Sequence, residues 1–211
     1  MSLSVWKLLS LLLDHPSAEV LGARDDLLEA ARALPPGAVR NELVAFCEAF
    51  VQGDGAEWAA TYVRTFDFSR RNSLELSYFV HGDRRQRGVA LLKLKRTFGV
   101  LGLELETDEL PDYLPLLLEV GDIAGEEVGR DLLADFRPGL EVMAASLEQA
   151  QSPYAHLMAA VLELLGPLSE EDAEAALRLA QEGPPNEQVG LQPFAPPEVM
   201  PVTLTPAGGA R

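Results

Sequence analysis

The residue types best suited to chemistry crowd into one short stretch. His81-Gly82-Asp83-Arg84-Arg85-Gln86-Arg87-Gly88 sets an imidazole, a carboxylate and three guanidiniums close together. A histidine two positions from an aspartate could trade protons as a general acid–base pair. Clustered arginines could instead grip a carboxylate or phosphate. The structural alternative is a loop histidine followed by Asp83 as the N-cap of a helix. That reading is preferred, because no Gly-rich phosphate loop and no G-x-S-x-G elbow accompanies the pair. The other histidines, His15 and His156, lie far away in sequence, and no histidine has a second His or Cys at metal-ligand spacing. His15 reads as punctuation at a helix end, and His156 as a satisfied or partly exposed helix residue. The single cysteine, Cys47, sits in the apolar run "LVAFCEAF" and reads as a buried, inert thiol. It excludes an internal disulfide framework and a multi-thiolate metal site. No catalytic residue, metal or cofactor is expected.

The chain that must position these residues has 211 of them, of which 47% are hydrophobic and 24% charged, a globular rather than disordered balance. A formal net charge of -16 opposes general binding to nucleic acid or to an anionic membrane surface. The opening "MSLSVWKLLSLLLDHP" is interrupted by Lys7 and closed by Asp14, with no small-residue cleavage site after it. It predicts a buried first helix rather than a signal peptide. No other stretch approaches the ~18 unbroken apolar residues of a membrane span. A cytoplasmic protein without direct membrane insertion is expected.

Nearly every segment has helical period and helical punctuation. Trp6, Leu9 and Leu13 share a face, and His15-Pro16 stops that helix. A second helix is predicted from an N-cap at Ser17 to about Leu34, before Pro35-Pro36-Gly37. A third covers about 38–51, with Leu43, Phe46 and Phe50 on one stripe. A fourth covers about 55–66 and carries Trp58, Tyr62 and Phe66 four residues apart. "NSLELSYFVHG" reads as a short apolar element, and Asp83 opens a long helix to about Leu101. "PDYLPLLLEVGDIA" is a helix, and the next segment is one or two helices broken near Pro138. "SPYAHLMAAVLELLG" starts with Ser152 as cap and Pro153 in first place. "SEEDAEAALRLAQEG" has capping-box spacing at Ser169 and Asp172 and stops at Gly183. Strand alternation and fixed-period repeats are absent from the sequence. The expectation is one all-α domain of about ten helices over 1–182. A proline-rich extended or mobile tail over 183–211 follows.

Charge is placed unevenly. From Arg64 to Arg96 nine Lys or Arg face only Asp67, Glu75 and Asp83, which makes that segment +6 and leaves -22 for the rest. Few aromatics interleave with these arginines, so a nucleic-acid platform is a weak reading. Intramolecular pairing is stronger. On a helix started by Asp83, Arg87 shares a side with Leu91, Leu94, Phe98 and Leu101, while Arg84, Arg85, Lys93, Lys95 and Arg96 spread over the other. An inward arginine demands a carboxylate or several carbonyls. Gly88 admits a close backbone or merely weakens the first turn, and both readings stand. Asp112, in "ELPDYLPLLLE", is either the N-cap of the helix bearing Pro115 or a surface group gripping a basic partner.

These blocks carry a resemblance. "YVRTFDFSRRNSLELSYFVHGDRRQRG", "ELPDYLPLLLE" and "SPYAHLMAAVLELL", with "LLSLLLDHPSAEVL" at the start, resemble the NarJ-type chaperones. These are the nitrate reductase molybdenum-cofactor assembly chaperones, or delta subunits, of the TorD-like group. The likeness spans about four-fifths of the chain. It implies an all-α fold and no catalysis. The implied partner is the apo catalytic (alpha) subunit of a membrane-bound nitrate reductase, held mainly by its amino-terminal segment. The implied task is molybdenum-cofactor insertion and timed membrane assembly, in nitrate respiration or assimilation. By the same resemblance the partner-binding candidates are Tyr62, Phe66, Asp67, His81, Arg85, Arg87, Asp112 and Tyr113. Relatives often carry His where Tyr113 stands and Ser where Arg84 stands, so no role of that histidine transfers. The tail has no counterpart. A TorD-like chaperone for another molybdoenzyme is the alternative, and an all-α enzyme using His81 and Asp83 the more distant one.

Overall fold

The computed structural model describes residues 3–82, 85–105 and 109–185. Among them the fold is all-α, with twelve α-helices and no strand beyond an isolated antiparallel bridge between Glu75 and Tyr113. No described helix is long and apolar enough to cross a membrane.

The first helix, α1 (Val5–Leu13), is capped by the Ser4 side chain, which accepts from the Lys7 N–H. The predicted second helix is two: α2 (Ala18–Gly22), capped by Ser17, and α3 (Arg24–Arg32). Ala23 separates them with φ -95° and ψ 11°, and the Arg24 side chain donates back to the Leu21 carbonyl and across to Gly53. Helix α4 (Ala38–Gln52) is followed by α5 (Gly55–Tyr62), where Asp54 caps two N–H groups. A π-helical turn, Val63–Asp67, continues α5, and a 3₁₀ turn, Arg70–Asn72, leads to the short α6 (Ser77–His81). The long α7 is Arg85–Val100. Asp83, predicted to cap it, and Arg84 lie outside the described residues.

The second half holds α8 (Leu114–Ala124), α9 (Glu126–Ala134), α10 (Arg137–Gln149), α11 (Tyr154–Leu165) and α12 (Glu170–Glu182). Helix α11 starts one residue later than predicted, because Pro153 is its N-cap. Ser169 caps α12 as its spacing requires, and Gly183 closes it. The tail beyond Pro185 lies outside the described residues.

Helix α1 packs on α8 and α11, α4 on α3 and α11, and α10 on α11 and α12. The core they enclose is rich in leucine, with an aromatic cluster of Phe46, Phe50, Trp58, Tyr62, Phe66 and Tyr154. Trp6 lies against Gly121 of α8 and Gly129 of α9, where any Cβ would strike the indole. Two helices thus close over one large ring, and this contact fixes α1 across the α8–α9 pair.

Candidate functional site

Arg87 projects from the first turns of α7 toward the loop before α6. Its Nε donates to Ser77 Oγ at 3.1 Å, and one Nη donates to the Glu75 carboxylate. The same Nη lies 3.7 Å from Asp112 Oδ2. Asp112 is fully buried, and its Oδ2 accepts from the Ser77 N–H at 3.0 Å and from Ser77 Oγ at 2.5 Å. Backbone bonds fasten the same strip, from Leu76 N–H to Asp112 O and from Leu114 N–H to Leu74 O. The inward arginine expected from helix spacing is therefore present, with 18% of its side chain exposed and two carboxylates beside it. Gly88 faces open space, so close backbone approach is not its role.

Asp112 meets neither expectation. Helix α8 begins at Leu114 with Tyr113 as N-cap and Pro115 in its first turn, where a missing N–H leaves no helix bond unmade. The carboxylate points away from that terminus and caps α6 from another part of the chain. Being buried, it cannot grip a partner's side chain. It acts inside the molecule, holding the Ser77 end of α6 and neutralising Arg87.

Tyr62 and Phe66 are internal as well, and Tyr113 is half-buried beside Tyr62. Tyr113 donates to Asp14 at 2.9 Å, and its oxygen lies 3.0 Å from that of Tyr62. Burial pushes both phenols above their ordinary range, and for Tyr113 the neighbouring Tyr62 and Asp14 act in the same direction. Phe66 is packed against Tyr62 and Tyr154. The two tyrosines tie the end of α1 to the starts of the π-helical turn and α8, and the buried Tyr62 and Phe66 offer little to a ligand. Asp67 is exposed and lines a shallow depression with Phe68, Ser73, Glu75 and Arg87. Arg85 lies on the exposed side of α7.

His81 belongs to a different feature, a groove of about 820 Å³ between α7 and α9. Its walls are Val80 and His81 from α6, Val89, Ala90, Lys93, Leu94, Thr97 and Leu101 along α7, and Val128, Asp131, Leu132, Asp135 and Phe136 opposite. Helix α7 buries only Leu94 and Phe98 fully, while Val89 is 67% and Val100 88% exposed. The sequence reading assigned the outer side of α7 to charge and overlooked these apolar residues. The signal was there: Val89 and Leu92 fall between Arg87 and Lys93, and Val100 follows Arg96, all outside the Leu94–Phe98 stripe. Among the described residues no group of three His, Cys, Asp or Glu could hold a metal ion. His156 lies 2.7 Å from Glu42, far from His81, and Cys47 is buried with its thiol pushed up to about 12. The arrangement suits binding of an apolar or amphipathic segment, with a buried ion network holding the groove's α6–α7 corner.

Comparison with known proteins adds an independent finding. Residues 32–160 match the family model described as nitrate reductase delta subunit. The chain is 32% identical over 173 residues to a probable nitrate reductase molybdenum cofactor assembly chaperone NarJ of Bacillus subtilis, covering 81% of this chain and 93% of that one. It is 32% identical over 177 residues to the nitrate reductase molybdenum cofactor assembly chaperone NarJ of Escherichia coli K12, covering 83% and 75%. It is 29% identical over 171 residues to a probable assembly chaperone of the same description, NarW of Escherichia coli K12, covering 81% and 72%.

Proposed function

The chain belongs to the nitrate reductase delta subunit family, and from that premise we propose that it is a molybdenum-cofactor assembly chaperone for a nitrate reductase. It binds the apo catalytic subunit through that subunit's amino-terminal segment, keeps it open for cofactor insertion and delays its docking at the membrane. The protein is not an enzyme, in keeping with relatives named as assembly chaperones. His81 serves as a groove wall in this reading.

The observation that carries the reading is the α7–α9 groove. An amphipathic helix laid in an apolar groove is a common recognition mode. Helix α7 has sixteen residues, about 24 Å at 1.5 Å each, which matches four to five turns of a bound helix. Asp131 and Asp135 stand on the groove's α9 side and would meet basic residues of the bound segment. They are part of the chain's net charge of -16, whose field speeds encounter with a cation-rich peptide.

Titration calorimetry of the full chain against a synthetic peptide of the catalytic subunit's amino-terminal segment tests this. Binding should show a negative heat-capacity change from apolar burial. It should weaken without vanishing between 0.1 M and 1 M salt, as the Debye length falls from about 10 Å to about 3 Å. Val89→Asp, an exposed substitution, should abolish it. Binding equal to that of a scrambled peptide would sink the proposal.

A further inference from the structure

The chain itself supplies a candidate occupant for the groove. Helix α12 ends at Gly183, and the backbone then turns toward α6, where the Pro185 carbonyl packs directly on Gly82. Gly82 has φ 57°, and a side chain there would collide with that carbonyl. Pro185 also lines a depression shared with Val80 and Asp135, which are themselves walls of the α7–α9 groove. The last described residue thus stands at the groove's α6 end, and 26 residues follow it.

Their composition suits the site. Residues 186–211 carry five prolines and the apolar side chains Leu191, Phe194, Val199, Met200 and Leu204. Their only charged side chains are Glu187, Glu198 and Arg211, so an acidic body repels them little. Proline-rich segments favour the extended polyproline II form, at about 3.1 Å per residue, and docking in that form costs less ordering entropy than folding a flexible strand. About eight such residues cover the ~24 Å of α7, leaving enough chain to reach from Pro185 to the first contact. Tethering replaces a bimolecular encounter with an effective concentration in the millimolar range, so weak contacts suffice.

We propose that the segment from Leu191 to Glu198 docks along the α7–α9 groove of its own chain, with Phe194 as its principal anchor. The inference needs the groove but not its assignment to a nitrate reductase peptide. Any apolar ligand of the groove would have to displace the tail.

Paramagnetic relaxation in the full chain tests it. A nitroxide is attached at Ala195→Cys; Cys47 is fully buried and stays unlabelled. The amide signals of Val89, Ala90, Lys93 and Leu132 should be lost, and those of α3 retained. Adding Leu191→Ser and Phe194→Ser to the labelled chain should restore them. Retained groove signals in the labelled chain, or losses that survive the double substitution, would overturn the proposal. So would losses transferred to an unlabelled isotope-enriched chain mixed with the labelled one, because the occupant would then be a second copy's tail.

Discussion

Replacing Asp112 by alanine strips α6 of its cap and Arg87 of its buried counter-charge in one step. The Ser77 N–H and Oγ are fully buried and would lose the carboxylate that accepts from both. A buried group left unsatisfied costs about 1–3 kcal/mol. Arg87 would keep Glu75, whose side chain is 45% exposed, so its charge is only partly stranded. Together these losses amount to about 3–5 kcal/mol, the range for breaking a buried ion pair. With a urea slope of about 2 kcal/mol/M, the midpoint should fall by roughly 1.5–2.5 M. Asp112→Asn keeps an oxygen for Ser77 and loses only the charge, so its shift should be about half as large. Lys95→Ala, on the exposed side of α7, should stay within about 0.5 kcal/mol. Urea melts followed by fluorescence of the buried Trp6 and Trp58 measure all three. An alanine variant as stable as Lys95→Ala would refute the placement of Asp112 and Arg87 in one buried network.

Alkaline pH should destabilise the fold. Tyr62, Tyr113 and Tyr154 have raised pKa values, so their contribution is full below the unfolded value near 10 and is lost as pH climbs toward the folded values. At one unit above that unfolded value each costs about 1.4 kcal/mol, and Tyr113→Phe should flatten the fall in urea midpoint between pH 9 and 11. Gly139→Ala would bring a Cβ to 2.7 Å from Phe79 and should cost about 1–3 kcal/mol in thermal or urea melts. Gly88→Ala meets open space inside a helix and should instead stabilise by about 0.5–1 kcal/mol. Asp131→Asn with Asp135→Asn should weaken binding of the catalytic-subunit peptide at low salt and leave high-salt binding nearly unchanged, as read by calorimetry.

Helical period was enough to place α1, α4, α8 and α12 to within a few residues, and the expected caps Ser17 and Ser169 make the local bonds that start α2 and α12. The break at Ala23 was missed although Gly22 stands beside it, because an isolated glycine is tolerated within a helical pattern and the side chain that fastens the break, Arg24, bonds to distant Gly53. Arg87 could be sent inward from spacing alone. Its carboxylate partners could not be chosen, because Glu75 and Asp112 reach it through the fold. Tyr62 and Phe66 looked like partner contacts by resemblance and proved to be core, where family blocks preserve packing as readily as function. The groove was hidden for a related reason: one wall is α7 and the other α9, and only tertiary structure brings Val89 opposite Leu132.

The seating of Trp6 between Gly121 and Gly129 also sets a timetable. The hydrophobic side of α1 is covered largely by helices that end at Ala124, Ala134 and Leu165, so α1 leaves the ribosome well before that cover is complete. At roughly 5–20 residues per second, synthesis of the intervening ~150 residues takes about 8–30 s. Until then α1 can meet only the nearby α3, and much of the apolar side of "VWKLLSLLL" lacks its native cover. A protein proposed to shelter another's amino-terminal segment thus passes through its own period of the same exposure. Its yield in the cell should depend on chaperones that bind nascent chains more than its final stability suggests.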